Sequence, residues 1–342
     1  MEDMALTDDF KKRPLIECVS NFSEGRDKNV IDTIVNSVTS VQSVKVLHID
    51  SSFDAHRTVV TFVGAPDNVC EAAYQAIKTA SELIDMRQHK GIHPRIGATD
   101  VCPLIPIRDI TLEETAEYAR QLGQHVGDNL HIPVYLYEAA ATADYRKNLA
   151  DIRQPQYEGL GKMLTDPKWL PDFYPHYNAR SGAVVIGARS FLIAFNVNLN
   201  TTDVSIAKKL ALMVREKPSK ENPKGGLPAV KAIGWFVNDY NCAQVSMNLV
   251  DYNLTSPWIV YSLLKKLAPS FGVEVTGSEL IGLIPEEPLM SAGLMQNIEN
   301  KQLALEFLRL PKLEKLNRSA GYLGLNALGK FEVKKRVIEY FL

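Results

Sequence analysis

Three consecutive runs decide the architecture: Ser43-Val-Lys-Val-Leu-His-Ile-Asp50, then Ser51-Ser-Phe-Asp-Ala-His-Arg57, then Thr58-Val-Val-Thr-Phe-Val63. The outer two are rich in β-branched and aromatic residues. The middle one is short and polar, so the three read as two strands joined by a hairpin loop. Upstream, Asp27 to Thr39 places Val30, Ile31, Ile34, Val35 and Val38 at helical spacing. A strand over Leu15 to Val19 precedes it. Downstream, Pro66 and Asp67 open a long helix that runs to about Met86, with proline in the first turn, where its missing N–H is harmless. A glycine-containing loop, His89 to Gly97, then leads to a strand over Asp100 to Ile105. The order to this point is β-α-β-β-α-β. Thr111 and Glu114 form a capping box for the next helix, and Ile132 to Tyr137 is a further strand.

The same order returns in the second half. Phe191 to Asn196 reads as a strand and Val204 to Val214 as a helix. Val230 to Val237 and Ala243 to Val250 are paired strands joined through the turn Asn238-Asp239-Tyr240-Asn241. Pro257 to Leu267 is a helix and Phe271 to Val275 a strand. A β-α-β-β-α-β unit is the split ferredoxin-like arrangement, an antiparallel sheet with helices on one face. The expected fold class is therefore α+β: two ferredoxin-like subdomains with helices on their outer faces and a cleft between them. The segment Asp144 to Ser181 holds Pro155, Pro167, Pro171 and Pro175 among Tyr157, Trp169, Phe173, Tyr174 and Tyr177, which suits a packed crossing segment rather than a flexible tether. Its aromatics suit burial and ligand stacking equally. The expected division is a disordered leader over 1–14, an N-terminal subdomain over 15–181 that includes the crossing segment, and a C-terminal subdomain over 182–342.

Length and composition agree with this plan. The chain has 342 residues, which at roughly 150 per domain gives two domains. Hydrophobic residues make up 46% and charged residues 23%, ordinary globular values that exclude a collagen, a coiled coil or a disordered chain. Lys plus Arg number 38 and Asp plus Glu 40, so the net charge is −2 and no global basic field recommends nucleic acid as a partner. Cys18, Cys70, Cys102 and Cys242 form no CxxC, a spacing that suits a reduced, cytoplasmic protein. No apolar run is long enough to span a membrane, and the first 13 residues have no signal-peptide core.

The densest chemistry lies in His89-Lys-Gly-Ile-His93-Pro-Arg95-Ile-Gly-Ala-Thr-Asp100. His89 and His93 at four-residue spacing would suit a metal pair on a helix, but Gly91 and Pro94 disfavour a helix and no third ligand is evident. The alternative is a loop that presents one imidazole, His93, as general acid or base beside Arg95. From spacing alone, an ordinary surface loop carrying a histidine accounts for the pattern at least as well. Asp50, at a strand end, can orient an imidazole or balance a cation, and Arg57 can hold a carboxylate, although taken alone this stretch reads better as a plain polar hairpin loop. The strand-end amides Asn21, Asn196, Asn198 and Asn200 suit a heterocycle of mixed polarity, or simply turn chemistry. No dinucleotide fingerprint, Walker A loop or nucleophile elbow is present.

Several blocks resemble the formiminotransferase family: Glu17-Cys-Val-Ser-Asn-Phe-Ser-Glu-Gly25, Arg57-Thr-Val-Val-Thr-Phe-Val-Gly64, His93-Pro-Arg-Ile-Gly-Ala-Thr-Asp-Val-Cys-Pro103, Pro133-Val-Tyr-Leu-Tyr137, Gly187-Ala-Arg-Ser-Phe-Leu-Ile-Ala-Phe-Asn196 and Gly277-Ser-Glu-Leu-Ile-Gly-Leu-Ile-Pro285. They run in order from about Leu15 to the C-terminus, and the chain is expected to end with the transferase part, no cyclodeaminase following. The resemblance implies transfer of a formimino group from N-formimino-L-glutamate to tetrahydrofolate, giving 5-formimino-tetrahydrofolate and L-glutamate, as in histidine breakdown. Tetrahydrofolate would be a co-substrate and no metal is required. His93 would be the general acid/base and Asp50 would orient it or balance charge. Asn21, Arg57, Arg95, Tyr174, Tyr177, Gly182, Asn196 and Asn198 would bind substrate, with the folate-contacting stretch near Tyr174 to Gly182. A homodimer is implied as well. Formyl transfer from N-formyl-L-glutamate on the same scaffold, and a folate-binding protein without turnover, are the competing readings.

Overall fold

The computed structural model describes residues 13–91, 93–220 and 222–342. The leader expected over 1–14 lies outside the described residues apart from 13 and 14. The chain is mixed α/β and forms two compact units, the first ending at Ser190 and the second starting at Phe191.

In the first unit, β1 (Leu15–Phe22), α1 (Lys28–Thr39), β2 (Val44–Ser52), β3 (Arg57–Gly64), α2 (Pro66–Leu83) and β4 (Thr99–Arg108) follow the order read from the sequence. Asp27 caps α1 by accepting from the Asn29 N–H at 2.9 Å, and Ile31, Ile34 and Val38 are its buried stripe. On α2 the stripe is Ala72, Ala73, Ala76 and Ala80, small enough to let the helix lie close to the sheet. Then come α3 (Leu112–Leu130), β5 (Val134–Glu138), two short helices α4 (Leu149–Arg153) and α5 (Gln156–Met163), and β6 (Val184–Ala188). Both halves of the Thr111/Glu114 capping box are formed.

The sheet order is β2-β3-β1-β4-β6-β5. Its first four strands pair antiparallel, while β6 pairs parallel with both β4 and β5. Strand β6 was not expected from the sequence. It is hydrogen-bonded into this sheet and so lies in the first unit, which ends at Ser190. Side chains alternate across each strand. Ile16, Cys18 and Phe22 join the core under α1 to α3. Part of the opposite face is covered by the 144–181 segment, where Ile152, Leu160, Met163 and Trp169 pack with Val101, Tyr135, Tyr137 and Val185. The Tyr135 hydroxyl donates to the Trp169 carbonyl at 2.7 Å, and Arg146 pairs with Asp172 at 3.0 Å.

The second unit contains β7 (Ile193–Leu199), α6 (Val204–Val214), β8 (Val230–Val237), β9 (Cys242–Leu249), α7 (Pro257–Leu267) and β10 (Val275–Ile281), followed by α8 (Glu286–Asn297), α9 (Lys301–Arg309) and α10 (Lys312–Tyr322). Its sheet is antiparallel in the order β10-β7-β9-β8. The last strand starts at Val275, where the sequence reading ended it. Ala268–Phe271 is a 3-10 turn, and Gly272 at φ +71° closes it, so the chain can extend only beyond that point. Phe195, Val197, Val245, Met247 and Leu280 point into the core with α6 and α7. The alternating set, Asn196, Asn198, Gln244 and Glu279, lies on the other face.

Candidate active site

Register places three of the expected residues on one face of the first sheet. Asp50 on β2 and Asn21 on β1 both stand opposite Val59 of β3, and Arg57 lies two residues before Val59 on the same side. The 89–97 loop brings His93 to Arg57. The His93 Nε2 to Arg57 Nη1 distance is 2.6 Å, and His93 Nδ1 lies 2.7 Å from the Pro94 carbonyl. The tautomer is assigned from these partners. A carbonyl only accepts, so Nδ1 carries the proton; a guanidinium only donates, so Nε2 presents its lone pair. Burial, then the charges of Arg57 and Arg153, hold the His93 imidazole well below its ordinary protonation range. Burial and the charge of Arg153 also bring Arg57 down to about 10.

Two residues that the sequence reading left without a role complete this cluster. Asp100, at the start of β4, accepts from the Ile96 N–H at 3.1 Å and lies 2.8 Å from Arg153 Nη2. Arg153 ends α4, so the crossing segment delivers a cation to the His93 loop. Asp100 was visible in the sequence as the polar start of a strand. Nothing local marks Arg153, which reaches the cluster only because α4 packs on the sheet.

Arg95, expected to bind substrate, is engaged elsewhere. Nη1 and Nη2 bond both Glu158 oxygens at 2.8 and 2.5 Å, Nη1 also reaches Gln156 at 3.2 Å, and Nε donates to His89 Nδ1 at 3.1 Å. It thus ties the loop to α5. His89 Nε2 meets the His56 carbonyl at 3.0 Å, and its ring stacks on His56 at 4.3 Å. Burial lowers its protonation to about 4. With both ring nitrogens so engaged, His89 and His93 do not form the metal pair that their spacing allowed. Among the described residues no cluster of His, Cys, Asp or Glu is arranged to hold a metal ion.

Gly182 supports the loop through its backbone. It sits at φ +69° and bridges to Gly97, and a Cβ there would lie 2.3 Å from the Ile96 carbonyl oxygen. Only glycine accommodates both the angle and that approach. Tyr174, at φ +52°, packs edge-on to His131 and His176. Tyr177 is half exposed near Tyr157.

Asn196 and Asn198 belong to a separate polar network in the second unit. Glu279 accepts from Asn196 Nδ2 at 3.2 Å, Gln244 Nε2 at 3.0 Å and the Tyr240 hydroxyl at 2.7 Å. Gln244 also donates to Asn198 Oδ1 at 2.8 Å and accepts from Trp235 Nε1 at 2.7 Å. Glu279 and Gln244 were not foreseen. Their signal was available as polar residues on alternate positions of strands, facing away from the core.

Comparison with known proteins gives the chemistry its context. Residues 15–189 match the family model described as "Formiminotransferase domain, N-terminal subdomain", and residues 194–342 match "Formiminotransferase domain". The chain is 44% identical over 278 residues to the glutamate formimidoyltransferase of Thermoplasma acidophilum, covering 81% of this chain and 90% of that protein. It is 42% identical to the enzyme of the same name from Streptococcus pyogenes over 277 residues, 81% and 91% of the two chains. Over 330 residues it is 43% identical to the formimidoyltransferase-cyclodeaminase of Dictyostelium discoideum, covering 96% of this chain and 60% of that protein. The chain therefore spans about 60% of the length of the bifunctional relatives it matches. With both halves matched in order, this chain belongs to the formiminotransferase family.

Proposed function

We propose that the chain transfers the formimino group of N-formimino-L-glutamate to tetrahydrofolate, producing 5-formimino-tetrahydrofolate and L-glutamate in histidine degradation. The observation that carries this reading is the neutral imidazole of His93 in contact with the Arg57 guanidinium, in a chain 44% identical to a glutamate formimidoyltransferase. The pteridine nitrogen attacks the formimino carbon and a tetrahedral intermediate forms. His93 Nε2 takes the proton from the attacking nitrogen and returns it to the glutamate nitrogen as that C–N bond breaks. Such proton transfer contributes typically ~10²–10⁴-fold. Arg57 must swing off Nε2 as substrate enters. Asp50, whose charge already acts on Arg57, offsets the cationic formimino group. Asn21, Tyr174, Tyr177, Asn196 and Asn198 are taken as substrate contacts, with Arg95 and Gly182 holding the loop that carries His93.

The strand orders β2-β3-β1-β4 and β10-β7-β9-β8 support reading each unit as a ferredoxin-like βαββαβ core, the first extended by β6 and β5. A cytoplasmic homodimer without a resident metal fits the reading. Among the described residues no helix is long and apolar enough to cross a membrane.

The test is turnover of N-formimino-L-glutamate with tetrahydrofolate, run beside N-formyl-L-glutamate. Formimino transfer is expected to dominate, and His93→Ala to lose at least roughly 10²-fold in kcat while still binding folate. Full turnover in His93→Ala would remove His93 from the chemistry. Folate binding with no transfer from either donor would leave a binding protein.

A further inference from the structure

The cluster around His93 sets two guanidiniums, Arg57 and Arg153, near the carboxylates Asp50 and Asp100, yet leaves donors of both guanidiniums unused. Arg57 and Arg153 both bear on the imidazole. Asp100 forms an ion pair with Arg153, its Oδ2 2.8 Å from Nη2, but that oxygen accepts no hydrogen bond. The other Asp100 oxygen is committed to the Ile96 N–H. Most telling, the Nε–H groups of both Arg57 and Arg153 are buried with no acceptor among the described residues. A buried N–H without a partner costs free energy, and a guanidinium edge is shaped to receive a carboxylate through two parallel bonds. Two such edges with unused donors lie near the base that the reaction needs. Arg57 falling to about 10 agrees, since an added negative charge would restore it.

We propose that Arg153, acting with Arg57, binds a carboxylate of the glutamyl substrate and so sets the formimino carbon against His93. Arg153 is then a specificity-determining residue for the donor substrate, supplied by the crossing segment. This rests on the reading of the chain as a formiminotransferase, but its ligand, L-glutamate, is also the reaction product and can be tested without turnover.

The experiment measures L-glutamate binding by calorimetry for the full chain, with L-glutamic acid diamide, which keeps the α-ammonium but has no carboxylate, as the control. It is paired with steady-state kinetics of Arg153→Gln and Arg153→Lys. Wild type is expected to bind L-glutamate and not the control. Arg153→Gln should weaken binding, and raise KM for N-formimino-L-glutamate, by roughly thirty-fold, while KM for tetrahydrofolate stays within about threefold. Arg153→Lys keeps the charge but loses the fork, and should fall between the two. A purely structural ion pair with Asp100 would instead move both KM values and kcat together, and that pattern overturns the proposal. So does unchanged glutamate affinity in folded Arg153→Gln. If Arg153→Gln does not fold, Arg153→Lys decides, with wild-type glutamate affinity and KM counting against the proposal. Arg153-dependent glutamate binding in a chain with no transferase activity would uphold the anion site and refute the reaction.

Discussion

His93 illustrates how one imidazole becomes a base. Its Nδ1 proton is fixed on a carbonyl, and burial, followed by two neighbouring cations, keeps Nε2 unprotonated at neutral pH. Burial first, and then the two cations, weaken it as a base, so its conjugate acid gives the proton back readily. Glu17 is a different kind of residue. It is 1% exposed on β1, both carboxyl oxygens lack a hydrogen-bond partner, and burial pushes it up to about 8 against an ordinary 4.5, with Arg189 opposing. A carboxyl raised in the folded state gives its full stability below about 4.5 and loses it as pH rises towards 8. Glu17→Gln should therefore leave stability nearly unchanged at pH 5. Near pH 9 it should gain on the order of a few kcal/mol. Urea denaturation at the two pH values checks this, and an equal effect at both would mean Glu17 is ionised in the folded protein.

Among the elements, those bounded by local chemistry were legible in full. The helix Val204–Val214 and the strand Val230–Val237 have the ends that periodicity and turn residues gave them, and the Thr111/Glu114 box closed as expected. Strand β6 escaped because Val184-Val-Ile-Gly-Ala188 is short and follows a glycine turn, and its pairing with β4 and β5 is long-range. The 89–97 loop depends on another such approach, the bridge between Gly97 and Gly182. Gly182→Ala combines a disfavoured angle with a backbone clash, so it should destabilise by about 2 kcal/mol or more. It should also lower kcat, because His93 moves with the loop. Thermal melts and kinetics of that variant test both, and wild-type values in both would mean the loop does not need the approach.

At the scale of the whole molecule, each unit has its own core. The second is built entirely from residues after 190, from Ile193 to Val337. A fragment spanning 191–342 should therefore unfold in one cooperative thermal transition of its own, followed by circular dichroism. A melt without a transition would show that this core needs the first unit.

Alternation, helical spacing, capping and the hairpin at Ser51 to Arg57 are local, so the chain carries them wherever it is read: both β-α-β-β-α-β orders and the His93 loop. Proximity between distant segments is not local. That Arg57 rests on His93, that Arg95 turns to Glu158, and that Arg153 arrives beside Asp100 from a segment notable only for its prolines and aromatics were decided by packing on the sheet. Burial there also chose which histidine stays neutral and which guanidiniums lack an acceptor, since desolvation is a property of the folded surroundings and not of residue order.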